Sequence, residues 1–461
     1  MTSPGPVFPS RDDPIARAAS EGLGGPAGRR ARAGNSWWTP LRVALALATV
    51  VFALGVLERG YCRDIAWPRE NGQQFAHACY SDIPHLYRER GFAQGRRPYL
   101  DTGDYPPLEY PVLTGLIVWG SATVARVTAD GVDGQAVRFY DLSALLLGIA
   151  ALVTVAAVSK LAGHRPWDAV LVAVAPVLAL SGTINWDLGA VALSTVALLT
   201  WARRRPALAG FLLGLSIAAK LYPVVLLFPL LLVCLRAGRL AAFRTTAAMT
   251  ALGWLIVNAP VMLVAPQGWK AFYEFNQRRG ADFGSIWYVL QHSGHRVPGL
   301  NVVVAVSLVV AFLAIAVLAH RAPVRPRLPQ LAFLAVAAFV MLNKVWSPQY
   351  ALWLLPLAVL ARPRWRDFVI WQAGEVVYYF AVWYFLLAGY DANHALRADA
   401  YYVVVLARLA ATLWLVVMVV GDVLHPARDP VRATGVDDPA GGVVDGASDP
   451  NARHRRMETF V

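Results

Sequence analysis

The sequence predicts an all-α polytopic membrane protein, and three observations carry that prediction. Apolar residues fill 57% of 461 positions and charged residues only 15%, a balance that ordinary soluble domains do not show. The apolar positions gather into runs of the length a helix needs to enter or cross a bilayer. Arginines cluster in every second connection between those runs, the bias that marks the cytoplasmic side of a membrane.

Residues 1–40 are rich in Gly, Pro, Ala and Arg without helical periodicity and read as a disordered tail, too long and too Gly/Pro-rich for a signal peptide. The first span, 41–57, reads as an uncleaved anchor. After a polar connection, 58–110, the segment 112–127 would upset the alternation of arginines if it crossed, so it is expected to be re-entrant or interfacial. Further apolar runs lie at 139–158, 169–184, 188–201, 207–219, 224–235, 246–264, 300–319, 331–342, 351–360, 368–388 and 401–420. They make about twelve spans, the shorter of which must tilt little or sit inside the bundle. Residues 422–461 read as a second disordered tail.

The formal charge of +13 belongs to this topology rather than to a nucleic-acid site. Arg29, Arg30, Arg32 and Arg42 precede the first span. Arg165, Arg203 to Arg205, Arg236, Arg239 and Arg244, Arg321, Arg325 and Arg327, and Arg362, Arg364 and Arg366 then fall on the same side. The expected protein is therefore a multi-pass protein of the cell membrane with both termini in the cytoplasm.

The connections on the other side are of a different character. The long loops 58–110 and 266–299 and the short segments around 183–187, 220–223, 343–350 and 389–400 carry carboxylates, amides, aromatics and isolated cations, so chemistry is expected on the external face. Cys62 and Cys79 share the first of these loops, where they either form a disulfide or remain two small free residues. Gly-rich phosphate loops and metal-type His/Cys spacings are not seen, and His292 and His295 alone make a poor metal site. Of four lysines, Lys220 and Lys344 stand at external ends of spans beside Pro and aromatic residues. They either snorkel or bind phosphate. Arg138 and Asp141, three apart, are expected to pair with each other, Glu375 inside a span to bond a nearby tyrosine or serve function, and Asp101 and Asp104 to be solvated turn residues.

The order of Ser81-Asp82-Ile83 with Tyr87, Pro98-Tyr99, Glu109-Tyr110-Pro111, Asn185-Trp186-Asp187, Lys220-Leu221-Tyr222-Pro223 and Asn343 to Tyr350 resembles the actinobacterial polyprenol-phosphate-mannose-dependent α-1,2-mannosyltransferases, over most of 41–421. The resemblance implies a GT-C-type bundle with interfacial helices in the first external loop. It also implies a polyprenyl-phosphate sugar donor and inversion at the anomeric carbon, with a glycolipid or glycan acceptor left open. A transporter or flippase of lipid-linked precursors is the alternative. It would call for internal repeats and broken spans meeting at midplane, whereas here the acids concentrate in outer loops.

Such a transfer needs a base for the acceptor hydroxyl and positive charge for the departing phosphate. The resemblance puts the catalytic Asp in the first loop, at Asp82; the competing reading makes Asp82 a helix N-cap. Glu109, fixed between prolines, is expected to bind sugar hydroxyls or support Asp82. Lys220 and Lys344 can supply point charges to the phosphate and Arg278 or Arg279 a planar fork. Tyr87, Tyr110, Asn185, Trp186, Asp187 and Gln349 complete the expected binding set. No metal or other cofactor is expected, since cations suffice for a monophosphate leaving group.

Overall fold

The computed structural model describes residues 6–8, 13–22, 37–68, 71–101, 103 and 105–449. Every regular element among them is helical. The bundle opens with α1 (Pro40–Glu58), started by Thr39, whose hydroxyl accepts the Arg42 N–H at 3.3 Å, and by Pro40 in the first turn, where its missing N–H costs nothing. The first long connection holds α2 (Asp82–Glu89) and leads into α3 (Val112–Thr128) and α4 (Gly131–Leu161). Within that connection Cys62 and Cys79 are joined by a disulfide.

At 31 residues, α4 is about 46 Å long, more than the roughly 30 Å of a hydrocarbon core. The overhang belongs to the side that carries α2, for Asp141 there takes two hydrogen bonds from Arg63, at 2.9 and 2.8 Å. Arg63, from the first loop, thus replaces the expected partner Arg138. Both ends of α3 lie on this same side. Thr114 near its start donates to the Ala219 carbonyl at 2.6 Å, and just past its end Ala129 accepts from Gln135, whose Oε1 also takes the Tyr87 hydroxyl.

The run expected as one span at 169–184 is broken into α5 (Ala169–Ala173) and α6 (Pro176–Ser181), because Pro176 cannot donate within a helix. Next come α7 (Asp187–Ala202), α8 (Pro206–Ala219), α9 (Leu227–Arg236) and α10 (Leu240–Val264). Gly210 and Gly214 of α8 meet the Thr246 and Thr250 carbonyls of α10 so closely that a Cβ would collide with them, a small-residue seam between helices. The second long connection folds into α11 (Pro266–Arg278) and α12 (Ile286–His292); α13 (Leu300–Arg321), α14 (Leu328–Leu342), α15 (Ala351–Ala361), α16 (Trp365–Leu386) and α17 (Ala398–Leu424) follow.

Short and long apolar helices occupy different places. Every residue of α15 is buried, whereas α13 turns Val302, Val306, Val309, Val310 and Leu313 outward, as a helix facing lipid does. Among the described residues five helices, α1, α4, α10, α13 and α17, are long and apolar enough to cross a membrane, with shorter apolar ones beside them.

The C-terminal region corrects the expectation of a tail from Asp422. Helix α17 runs to Leu424, and residues 425–449 pack across the end of the bundle opposite α2. Asp429, fully buried, takes two hydrogen bonds from Arg327 at 2.7 and 3.0 Å while Arg327 also donates to the Leu360 and Ala361 carbonyls. Arg236 and the Arg325 N–H reach Asp449, and the Leu328 N–H reaches Asp438. A Gly/Pro/Asp composition that reads as disorder is here the set of counter-charges for helix-end arginines. At the other terminus a short helix, Pro14–Gly22, is tied down by Asp13, which accepts from the Trp365 N–H; the rest of 1–36 lies largely outside the described residues, as do Asp104 and 450–461. Inside the bundle, Glu375 pairs with Arg408 at 2.8 Å rather than with a tyrosine.

Removing one member of a buried pair strands the other, at about 3–5 kcal/mol. Asp429→Ala should therefore lower the thermal unfolding midpoint of the purified protein markedly, and Asp429→Ala with Arg327→Met should recover part of it. An unchanged midpoint in the single variant would show that 425–449 does not hold the bundle.

Candidate active site

On the side of the bundle that carries α2, the first loop, the 183–187 turn, the 220–222 turn, the second loop and the 343–350 segment meet around one cavity of about 630 Å³, a usual size for a small-ligand site. Asp82, Glu109, Tyr110, Asn185, Lys220, Arg279, Lys344 and Gln349 all line it.

Asp82 is the first residue of α2. Its helix is capped by Ser81, whose hydroxyl accepts the Ile83 N–H at 3.3 Å and donates to the Thr183 carbonyl at 2.8 Å. The capping role considered for Asp82 thus falls to its neighbour, and the Asp82 carboxylate is left for the cavity. The Asp82 N–H donates to the Ile184 carbonyl at 2.8 Å, and Oδ1 accepts the Tyr80 hydroxyl at 2.8 Å. Burial pushes the carboxyl up to about 6, against the Tyr80 hydrogen bond and the Lys220 charge, which pull it down.

The two lysines differ. Lys220, at the end of α8, pairs with the buried Asp187 at 2.7 Å and lies over the Tyr110 ring at 4.9 Å. Asp187 is further held by the Trp353 indole N–H at 2.9 Å, and the Trp353 ring stacks between Tyr350 and Tyr222 at 3.7 and 4.4 Å. Burial would lower the Lys220 ammonium, but Asp187 and Tyr350 outweigh it and hold it above its ordinary value. Lys344 instead donates to the Asn301 Oδ1 at 2.6 Å and to the Gln277 carbonyl at 3.3 Å. It has no carboxylate partner among the described residues. Burial and nearby Arg279 lower its ammonium, the condition of a cation that gains from an incoming anion.

Arg279 pairs with Asp282, and the Asp282 N–H bonds the Lys344 carbonyl at 2.8 Å, so the second loop and the 343–350 segment form one platform. Arg408 supports it from below by donating to the Trp346 and Ser347 carbonyls at 2.6 and 3.3 Å. Gln349 lines the cavity with its Oε1 buried and without a hydrogen-bond partner among the described residues, and so can accept from a ligand hydroxyl. Glu109 takes both its hydrogen bonds from Arg90, at 2.6 and 2.7 Å.

Four residues expected in the binding set do not line the cavity. Tyr87 bonds Gln135, and Trp186 packs edge-on behind Tyr110 and donates to Ser143. Asp187 lies beneath Lys220, and Arg278 is an exposed partner of Glu274 on α11. Sequence reasoning also missed Tyr80, Trp353, Arg90 and Asp282. The spacing Tyr350/Trp353 on one helical face could have pointed to the aromatic stack; nothing local to Arg90 marks its partner.

An apolar helical protein that gathers a carboxyl raised to about 6 by burial, positive charge and aromatic rings in one cavity has the parts of a membrane group-transfer enzyme acting on a hydroxyl. Residues 110–343 match the family model of glycosyltransferase family 87, just over half of the chain, and the protein belongs to that family. The match takes in Asn185, Lys220 and Arg279 but begins after Asp82. No curated protein matches the chain.

Lys220→Gln should strand the buried Asp187 and destabilise by about 3–5 kcal/mol, while adding Asp187→Asn restores much of the loss. Lys344→Gln, which breaks contacts only with an amide and a carbonyl, should melt close to the parent. Equal melting of both single variants in a thermal scan would refute this division.

Proposed function

We propose that the protein transfers a mannosyl residue, with inversion, from a polyprenyl-phosphate sugar to a cell-envelope glycolipid or glycan, at the external face of a GT-C-type bundle of about twelve spans whose termini are cytoplasmic. The observation that carries this reading is that the Asp82 carboxyl, free of a capping role and raised to about 6, and Lys344, a cation without a carboxylate partner among the described residues, line one cavity. Family 87 membership supports sugar transfer. The disulfide on the cavity side fits an oxidising compartment, and the arginines at the opposite end fit the cytoplasm.

In the proposed reaction Asp82 takes the proton of the acceptor hydroxyl as its oxygen bonds the anomeric carbon. The bond from that carbon to the phosphate oxygen breaks, and the phosphate keeps the electron pair. Lys344 and Arg279 meet the charge that builds on it, while Gln349 accepts from a sugar hydroxyl. Donors fixed in place before reaction stabilise such charge better than mobile water does. Tyr80 holds the Asp82 carboxylate in one orientation.

A positioned base contributes about 10²- to 10⁴-fold, so Asp82→Asn should lose at least the lower figure in turnover with polyprenyl-phosphate mannose and a membrane acceptor fraction. The base works deprotonated. The parent's kcat/KM should therefore be level above pH 6 to 7 and fall with acid through about 6, and this limb should vanish in the residual activity of Asp82→Asn. Lys344→Gln should raise donor KM with the acceptor KM little changed. Full turnover in Asp82→Asn would remove the base from the account.

A further inference from the structure

The stretch that delivers Asp82 is a closed ring. The Cys62–Cys79 bond joins residues 17 apart in the chain, and both cysteines are fully buried. The ring is tied across its middle. The Trp67 N–H donates to the Cys62 carbonyl and its indole N–H to the Cys79 carbonyl, each at 2.8 Å, and the Cys79 N–H donates to the Gln74 carbonyl at 3.0 Å. Ala66, Trp67 and Ala78 have φ of 55°, 50° and 52°, left-handed values that a residue with a Cβ keeps only where its surroundings hold it. Asp82 follows the second cysteine almost at once.

The ring reaches Asp82 and its helix by three routes. Phe75, inside the ring, stacks on Tyr80 at 5.7 Å between centroids, with Trp383 of α16 against the two at 6.2 and 4.7 Å, and it is the Tyr80 hydroxyl that bonds Asp82 Oδ1. The buried Gln74 meets the His85 Nε2 at 2.5 Å, one turn along α2. The Ala66 carbonyl accepts from Arg88, near the end of α2, at 2.8 Å. Ser81 and the Asp82 N–H pin the main chain at one place, to the 183 and 184 carbonyls. A helix of 8 residues is too short to hold a direction by itself, and the ring gives it one. The groups that would meet the donor phosphate, Lys344 and Arg279, stand on other segments of the cavity wall, and α2 also rests on Phe139 of α4 through Tyr87, at 5.3 Å. Opening the ring therefore loosens the carboxylate without undoing the bundle or the anion site.

We propose that the Cys62–Cys79 ring is the positioning element of the Asp82 carboxylate, so that turnover, unlike donor binding, depends on this bond having formed. This rests on the transfer reading above and adds a control to it. In forming the bond two thiols give up two electrons and two protons to an external thiol oxidant, whose own disulfide is reduced to two thiols. A chain already folded in the bilayer with its loop still reduced binds donor and transfers little.

The test compares the full-length parent with Cys62→Ala/Cys79→Ala, both in nanodiscs, using polyprenyl-phosphate mannose and a membrane acceptor fraction. The double variant should lose about ten- to a hundredfold in kcat, the scale set by a small misplacement of a reacting group, with donor KM little changed. Tyr80, Tyr110, Asp187, Lys220 and Arg279 face Asp82, with His85 a turn along its own helix, and none of them belongs to the ring. The acid limb of the variant should nevertheless move below the parent's, because a carboxyl that swings out of its buried place regains water and drops toward its ordinary value. Hydrogen exchange reads the placement without chemistry: amides of 62–85 should exchange faster while the rest of the bundle stays as protected as in the parent. Parental kcat with an unmoved limb overturns the proposal, and so does faster exchange throughout the bundle, the mark of a merely structural bond. Should the variant not accumulate, the parent is made in a host without a thiol oxidase outside its membrane and then treated with oxidised glutathione. Turnover should return as the Cys62 and Cys79 thiols disappear, and a bond that forms without raising turnover overturns the proposal. Product absent even from the oxidised parent, with exchange changed only at 62–85, would sink the transfer reading and leave the positioning role standing.

Discussion

A charge inside an apolar bundle persists only with a counter-charge against it, since the interior neither solvates nor screens it. The Lys220–Asp187 pair shows how much geometry follows. Asp187 opens α7 and Lys220 closes α8, so their contact sets the heights of two neighbouring helices. The second oxygen of Asp187 fixes the Trp353 indole, and through its stacked rings the start of α15. A buried pair of this kind adds little net stability; what it supplies is a single permitted arrangement, and the cavity wall is built on that arrangement.

The same rule organises the rest of the molecule. Arg408, paired with Glu375 inside the bundle, spends its remaining N–H groups on the two carbonyls beneath the Lys344 and Gln349 segment. At the opposite end Arg327 binds Asp429 and caps α15 through the Leu360 and Ala361 carbonyls. Lys344 departs from the rule: among the described residues its partners are neutral, where the other cations of the cavity wall, Arg90, Lys220 and Arg279, have carboxylates. An unneutralised cation in a wall of paired ones is where an anionic ligand gains most.

Helix positions were largely legible because hydrophobic runs and arginine clusters are local signals; the break at Pro176 was missed, because an apolar run continues through a proline that a helix does not. The gathering of the Asp82 loop, the 183–187 turn, Lys220 and the 343–350 segment was legible through motif order, which carries topology. What stayed hidden was pairing at long range. The partner of Arg327 is 102 residues away, and the partner of Arg408 is 33 residues away on another helix. Charge complementarity over such separations leaves no pattern in one sequence. The tail was misread for that reason: its aspartates look solvated until the arginines they neutralise are brought beside them. Arg63, brought beside Asp141 by the fold of the first connection, makes the bidentate contact in place of Arg138, a pairing over 78 residues that no local spacing announces.

The attachment of the Asp82 loop to the bundle is made by backbone. Ser81 and the Asp82 N–H are fastened to the carbonyls of Thr183 and Ile184, groups that any amino acid would supply. The carboxylate is therefore registered against the 183–187 turn by the path of the chain and not by the identity of residues 183 and 184. The two side chains serve other ends: the Thr183 hydroxyl bonds Tyr140 and Ile184 fills the core beside the cavity, so the grip on the acid and the packing of the turn are separate demands on the same two residues. Two chains with unlike residues there can share one placement of the acid.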